Sequence, residues 1–260
     1  MEKKNGKGKE YLMDNILIYE GEYLNGKRNG KGKEYFSNGT LKFDGEYLNG
    51  KRWNGNGYDR NSIIAYELKN GNVCIKEYYN NNEIKYEAEY LNGEFNGKFK
   101  KYDLDNVLEF EGEYLNGKRN GKGKQYDYKG KLEFDGKYLY GHKRKGKLYL
   151  KKILIYEGEF SFDKKWNGKG YDENGNTIYE LKNGKGKVKE CDDDGIIFEG
   201  EFENGNRNGK GKEINKKGEL LFEGEYLNGK RWNGKGKEYN WNNELIFEGQ
   251  YLNGKKISSK

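Results

Sequence analysis

One stretch, Tyr19 to Tyr35 (YEGEYLNGKRNGKGKEY), recurs along almost the whole chain, and this recurrence limits the fold more than any other feature. Close copies begin at Phe43, Tyr86, Phe110, Phe134, Tyr156, Phe198, Phe222 and Phe247, and shortened ones at Tyr66 and Tyr179. A fixed period of this length marks a repeat architecture, in which each unit buries its apolar face only by stacking on its neighbours.

Within the unit the first half alternates with period two. Tyr19, Gly21 and Tyr23 point one way, Glu20 and Glu22 the other. This is the pattern of a strand with one aromatic and one charged face. The second half alternates likewise, with Gly30 and Gly32 on one side and Lys31 and Lys33 on the other. Asn25-Gly26 between them tolerates positive φ and predicts a turn. The unit therefore reads as a β-hairpin. If Tyr23 faces Gly30, the rings of Tyr19 and Tyr23 share a face with Gly30 and Gly32 and can cover exposed glycine backbone. The same register sets Glu20 and Glu22 against Lys33 and Lys31, each cross-strand pair contributing a few tenths to about 1 kcal/mol. Tyr35 then falls on the charged face, so a bulge is expected before it.

A larger period overlies the small one. Trp53 to Asp59 and Trp166 to Asp172 lie 113 residues apart, as do the short units at Tyr66 and Tyr179. The chain thus reads as a half-repeat cap over 1–18 and a continuous array over 19–254. Within the array, a five-hairpin block spans 19–133 and is repeated over 134–246, and a final half-repeat occupies 247–254. Residues 255–260 form a tail. The end half-units either cap the array or pair between molecules, with Lys3, Lys4, Lys255 and Lys256 opposing such pairing. Three turns gain one residue, and it is Trp each time: Trp53, Trp166 and Trp232. An inserted residue predicts a bulge or a wider turn. The indole then either packs on the neighbouring turn or forms a protein contact, as tryptophans at hot spots do.

The pattern Tyr/Phe-x-Gly-x-Tyr-x-x-Gly-x-x-x-Gly-x-Gly resembles the MORN repeat, from the half-unit at Asn5 to Gly254. The resemblance implies an all-β fold, an elongated single-layer twisted antiparallel sheet of about ten to eleven tandem hairpins. At about 4.8 Å per strand that is on the order of 100 Å long. It also implies scaffolding, protein contact or dimerisation, and anionic-lipid binding. The chain departs from the pattern at Ala88, which replaces a strand glycine, at Phe162-Asp163, which stand for Asn-Gly, and in the two short units.

Composition alone leans toward disorder, with 36% charged residues and 40 glycines. The 24 Tyr, 12 Phe and 4 Trp at fixed positions argue instead for a thin aromatic core along a sheet. The net charge of +7 is the remainder of 50 basic and 43 acidic side chains that alternate within every unit, so most of it reads as a self-paired face. That balance makes nucleic acid an unlikely partner. Two cysteines, Cys74 and Cys191, are too few for a disulfide framework and suggest a reducing compartment. With no apolar leader and no transmembrane-length run, the expectation is a cytoplasmic protein, peripheral at a membrane if it binds lipid.

No catalytic, metal or cofactor constellation is expected. Gly21 to Lys27 fits GxxxxGK, but Arg28 follows where a phosphate loop needs Ser or Thr, and no helix succeeds it. The acidic turns at 172–175 and 192–195 are too short for a calcium loop. His142 is the lone histidine. Carboxylates that repeat with the unit are structural. Function is therefore expected to be a non-enzymatic scaffold with an unknown protein partner or a second copy, and Trp53, Trp166 and Trp232 are its candidate contacts. The alternative is an adaptor for anionic (phosphoinositide) membranes through the basic turns. Its candidate contacts are Lys27, Arg28, Lys51, Arg52, Lys118, Arg119, Lys143, Arg144, Lys230 and Arg231, each worth about 1 kcal/mol near such a surface. A further alternative is an antitoxin-like binder of a small protein.

Overall fold

The computed structural model describes residues 4–79, 81–242 and 244–258. Lys3 and the last two residues of the expected tail lie outside them. The chain divides into two compact units, residues 1–130 with 139–141, and residues 131–138 with 142–260.

In the first unit β1 (Gly6–Tyr11), β2 (Leu17–Leu24), β3 (Lys27–Tyr35), β4 (Leu41–Leu48), β5 (Lys51–Tyr58) and β6 (Ile64–Leu68) form one antiparallel sheet in sequence order. Strands β7 (Val73–Tyr78), β8 (Ile84–Leu91), β9 (Glu94–Tyr102), β10 (Leu108–Leu115) and β11 (Lys118–Tyr126) continue in another. The second unit holds β12 (Leu132–Leu139), β13 (His142–Leu150), β14 (Ile153–Ser161), β15 (Lys164–Tyr171) and β16 (Thr177–Leu181). Its separate second sheet contains β17 (Gly186–Cys191), β18 (Ile197–Glu203), β19 (Asn206–Ile214), β20 (Leu220–Leu227), β21 (Lys230–Tyr239), β22 (Leu245–Leu252) and β23 (Lys255–Ser258). The strands thus lie in three antiparallel sheets, none closed, where one continuous sheet was expected. The breaks fall at the two short units. There, pairing of β6 with β7 shrinks to the bridge Lys69–Asn72, and pairing of β16 with β17 to Lys182–Lys185.

The hairpin register follows from its turn. Asn25 (φ 52°) and Gly26 (φ 81°) form a two-residue loop with both φ positive, the type that matches strand twist. It closes Leu24 on Lys27 and Tyr23 on Arg28. Gly21 then pairs with Gly32, and Glu20 with Lys33 as expected. The expected pairing of Tyr23 with Gly30 inside the hairpin is corrected. Asn29 and Gly30 bulge out, Gly30 at φ 94°, and Gly30 instead faces Tyr47 of the next unit. The bulge expected before Tyr35 is present, and Tyr35 donates to Glu20 on the charged face (2.6 Å).

Tyr19 lies across the glycine pair. A Cβ on Gly32 would meet its hydroxyl at 2.3 Å, so only glycine fits beneath the ring. Leading aromatics also meet the second aromatic of the following unit edge-on, in Tyr19–Tyr47 (5.2 Å), Phe134–Phe160 (5.5 Å), Phe198–Tyr226 (5.1 Å) and Phe222–Tyr251 (5.3 Å). Tyr19, Phe43, Phe110, Phe134, Tyr156, Phe198 and Phe222 are fully buried. The core is this row of rings, coupled neighbour to neighbour.

One end assignment is corrected. Residues 255–258 are a return strand: Asn253 and Gly254 turn the chain back (φ 49° and 76°), and β23 pairs Lys256 with Tyr251.

Candidate functional site

The hairpin turns stack through backbone and side chain together. Gly50 N–H donates to the Arg28 carbonyl (2.8 Å), and Asn49 N–H to Asn29 Oδ1 (3.1 Å). Gly26, Gly71, Gly93 and Gly117 repeat the backbone bond in the first unit, and Gly184, Gly205, Gly229 and Gly254 in the second. At the break the turn ladder persists, for Gly71 donates to Trp53 and accepts from Gly93. A row of turns fixed in this way forms one edge of each unit.

The two cations after each turn have different fates. Period two sets Arg28 directly opposite Tyr23, which turns it onto the aromatic face. Its guanidinium lies 3.9 Å from the centre of the Tyr19 ring. Arg52 sits over Phe43 (4.9 Å), Arg119 over Phe110 (4.2 Å), Lys143 over Phe134 (5.1 Å), Lys165 over Tyr156 (5.5 Å), Arg207 over Phe198 (4.4 Å) and Arg231 over Phe222 (5.1 Å). Phe95 holds the matching position in its unit and packs edge-on against Tyr86 at 5.3 Å. The aromatic face is thus roofed by its own repeats.

These cations are also bridged by carboxylates. In the first unit Arg28 pairs with Glu10 (2.5 Å) and Glu34 (2.7 Å). Arg52 pairs with Glu34 and with Glu77 (2.8 Å), and Lys42 reaches Glu77 at 3.0 Å. In the second, Arg207 and Arg231 share Glu213, and Lys256 pairs with Glu238. Burial opposes the charge on Glu34 and Glu77, but Arg52 outweighs it and holds both below the ordinary glutamate value of 4.5. Burial pushes the Tyr19 phenol up to about 12.

The first cation of each pair remains at the edge. Lys27, Lys118 and Lys230 are exposed, whereas Lys51 pairs with Glu94. The turn before Lys143 differs: Tyr140-Gly141 precedes His142, which meets Asp163 at 2.6 Å, and the exposed Arg144 donates to the Phe160 carbonyl (3.4 Å). Of the ten proposed lipid contacts, the structure therefore brings Lys27 and Lys118 to one edge and turns Arg28, Arg52, Arg119, Lys143 and Arg231 onto rings. Beside the outward lysines stands a row that the sequence reading passed over. Leu24, Leu48, Leu91 and Leu115, each just before the Asn-Gly turn, are 41–52% exposed, and Leu227 and Leu252 repeat this in the second unit. Their fixed place in the motif was the signal.

Trp53, Trp166 and Trp232 are half-buried single-residue bulges behind unchanged two-residue turns. Trp166 packs on the glycine of a neighbouring turn: a Cβ on Gly184 would lie 2.8 Å from its ring. Trp232 does the same at Gly254 (3.3 Å). Trp53 presents its carbonyl to Gly71 (2.7 Å).

The MORN repeat family model matches residues 19–41, 110–131 and 198–219. This chain carries MORN repeats. No curated protein matches it. Among solved structures, selenomethionine-substituted virginiamycin B lyase from Staphylococcus aureus aligns over 98% of this chain and 86% of its own. At 11% identity and a TM-score of 0.21, that alignment supports no argument. Among the described residues no helix is long and apolar enough to cross a membrane.

Proposed function

We propose that this MORN-repeat chain is a non-enzymatic cytoplasmic scaffold that meets a protein partner along the hairpin-turn edge. The row of half-exposed leucines beside outward lysines carries this reading. The aromatic face is already covered by the cations of its own repeats, and the opposite face pairs its charges internally, as in Lys9–Glu20 (3.0 Å) and Lys212–Glu199 (3.3 Å). The turn edge offers apolar area framed by positive charge, which suits a partner that is apolar with an acidic rim. The two exposed, free cysteines accord with a reducing compartment.

The same edge supports a second reading, an anionic-membrane adaptor. Two or three outward lysines in a unit supply about 2–3 kcal/mol at such a surface, while even millimolar affinity needs about 4 kcal/mol. Magnitude therefore favours the protein partner. The test places a photoreactive phenylalanine at Leu24, Leu115 or Leu227, and for comparison at Lys33 or Lys124 on the charged face. Discrete adducts from the leucine positions alone support the scaffold. Adducts from the charged face alone would overturn it. Flotation with phosphoinositide vesicles, lost on Lys27→Glu with Lys118→Glu, would move the assignment to the membrane.

A further inference from the structure

The two breaks in strand pairing occupy matching places in the 113-residue repeat but are filled differently. In the first unit the chain packs its own side chains there. Phe36 is buried, Arg60 lies 4.7 Å from its ring centre and Lys42 5.6 Å. Arg60 also donates to the Tyr79 carbonyl (3.3 Å). In the second unit each matching residue is smaller or has lost its charge: Leu150 for Phe36, Ile155 for Lys42, Cys191 for Tyr78, Asp192 for Tyr79. Glu173 stands for Arg60, and the preceding loop is one residue shorter.

What remains is a cavity of about 590 Å³ between β16 and β17. Leu150, Ile153, Ile155, Ile178 and Ile197 form its apolar wall. Its polar lining includes Lys165, Tyr179 and Glu190, which meet one another. The size and the mix of a broad apolar lining with a few convergent polar groups are those of a small-molecule site.

The polar wall sets the chemistry of the occupant. Lys165 donates to Glu190 (2.5 Å) and to the Tyr179 hydroxyl (3.2 Å). An ammonium has three protons, so one N–H remains, and the Tyr179 hydroxyl, accepting from Lys165, keeps its own proton to give. Burial raises the Tyr179 pKa and keeps that proton in place. The Lys165 N–H and the Tyr179 O–H thus form a pair of neighbouring donors on this wall. Four lysines and four carboxylates line the cavity, so no net charge selects an ion. We propose that the cavity binds a small uncharged molecule with an apolar body and one oxygen acceptor, an aromatic ketone for instance, held by Lys165 N–H and Tyr179 O–H. This does not depend on the scaffold reading.

The test titrates the full chain with prodan, a neutral naphthyl ketone whose emission shifts to the blue in apolar surroundings. Saturable single-site binding is expected, weakened about tenfold by Tyr179→Phe. Leu150→Phe with Ile155→Lys and Glu173→Arg, which restores the filling of the first unit, should abolish it. Cys191→Tyr, a single filling change, serves should the triple variant fail to fold. Absence of saturable binding, or equal binding by a folded variant with the cavity filled, would overturn the proposal.

Discussion

A Cβ added at Gly21 would stand 2.6 Å from Gly32 Cα and 2.7 Å from the Lys31 carbonyl oxygen, both backbone atoms that cannot step aside. Gly21→Ala is therefore expected to cost about 3 kcal/mol, the upper end for overpacking. Gly39, at φ 83° with open space around it, is constrained by conformation alone. Gly39→Ala should cost about 1 kcal/mol. Urea unfolding of the two variants decides the matter, and a milder effect at Gly21 would mean that the close approach of the paired strand backbone is not the constraint. Glu77 makes a different residue-scale prediction. Its folded pKa lies below 4.5, so its stabilising charge is fully present above pH 4.5 and is lost as pH falls through the depressed value. Glu77→Gln leaves Arg52 with the Glu34 carboxylate and takes the carboxylate from Lys42, and should cost about 2 kcal/mol at pH 7. The difference from the unmodified protein should shrink on acidification below pH 4.5. Parallel melting curves from pH 7 to pH 3 would refute the assignment.

At the level of the hairpin, the turn is held by its predecessor as much as by its own sequence. Asn29→Ala removes the acceptor of the Asn49 N–H while leaving the Gly50 bond to Arg28 intact. The expected loss is about 1 kcal/mol, read as a lower thermal midpoint. An unchanged midpoint would assign the turn stack to the backbone bond alone. The hairpin, its Asn-Gly loop, the ring over glycine and the bulge before Tyr35 were all legible, because each follows from period two and from which residues accept positive φ. Two features were not. Gly30 looked like a partner for Tyr23, since alternation carries no record that Asn29 and Gly30 leave the ladder. Lys27 and Arg28 looked like one basic pair, yet adjacent strand residues face opposite ways, which sends Arg28 to the Tyr19 ring and leaves Lys27 outside. Alternation extended through the turn would have separated them.

Over the whole molecule, a repeat array is as strong as its weakest neighbour contacts, and in each unit these lie where a short repeat interrupts the ladder. The first break is bridged by a guanidinium: Arg52 reaches Glu34, Tyr66 and Glu77 at once, with Lys42 behind Glu77. At the second, Leu148 stands where the first has Glu34 and Ile155 where it has Lys42, and Lys165 hydrogen-bonds Glu190 and Tyr179, beside a cavity. Four polar contacts are thus reduced to two. Local opening scales with the contacts that must be lost. Hydrogen exchange should therefore be fastest at β16 and β17, slower at β6 and β7, and slowest at β3, β4, β19 and β20, where strands pair on both sides. Prodan should slow exchange at β16 and β17 while leaving β6 and β7 unchanged. Equal protection at the two breaks would mean that the ion network of Arg52 adds nothing the Lys165 pair lacks, and that strand pairing alone sets local stability.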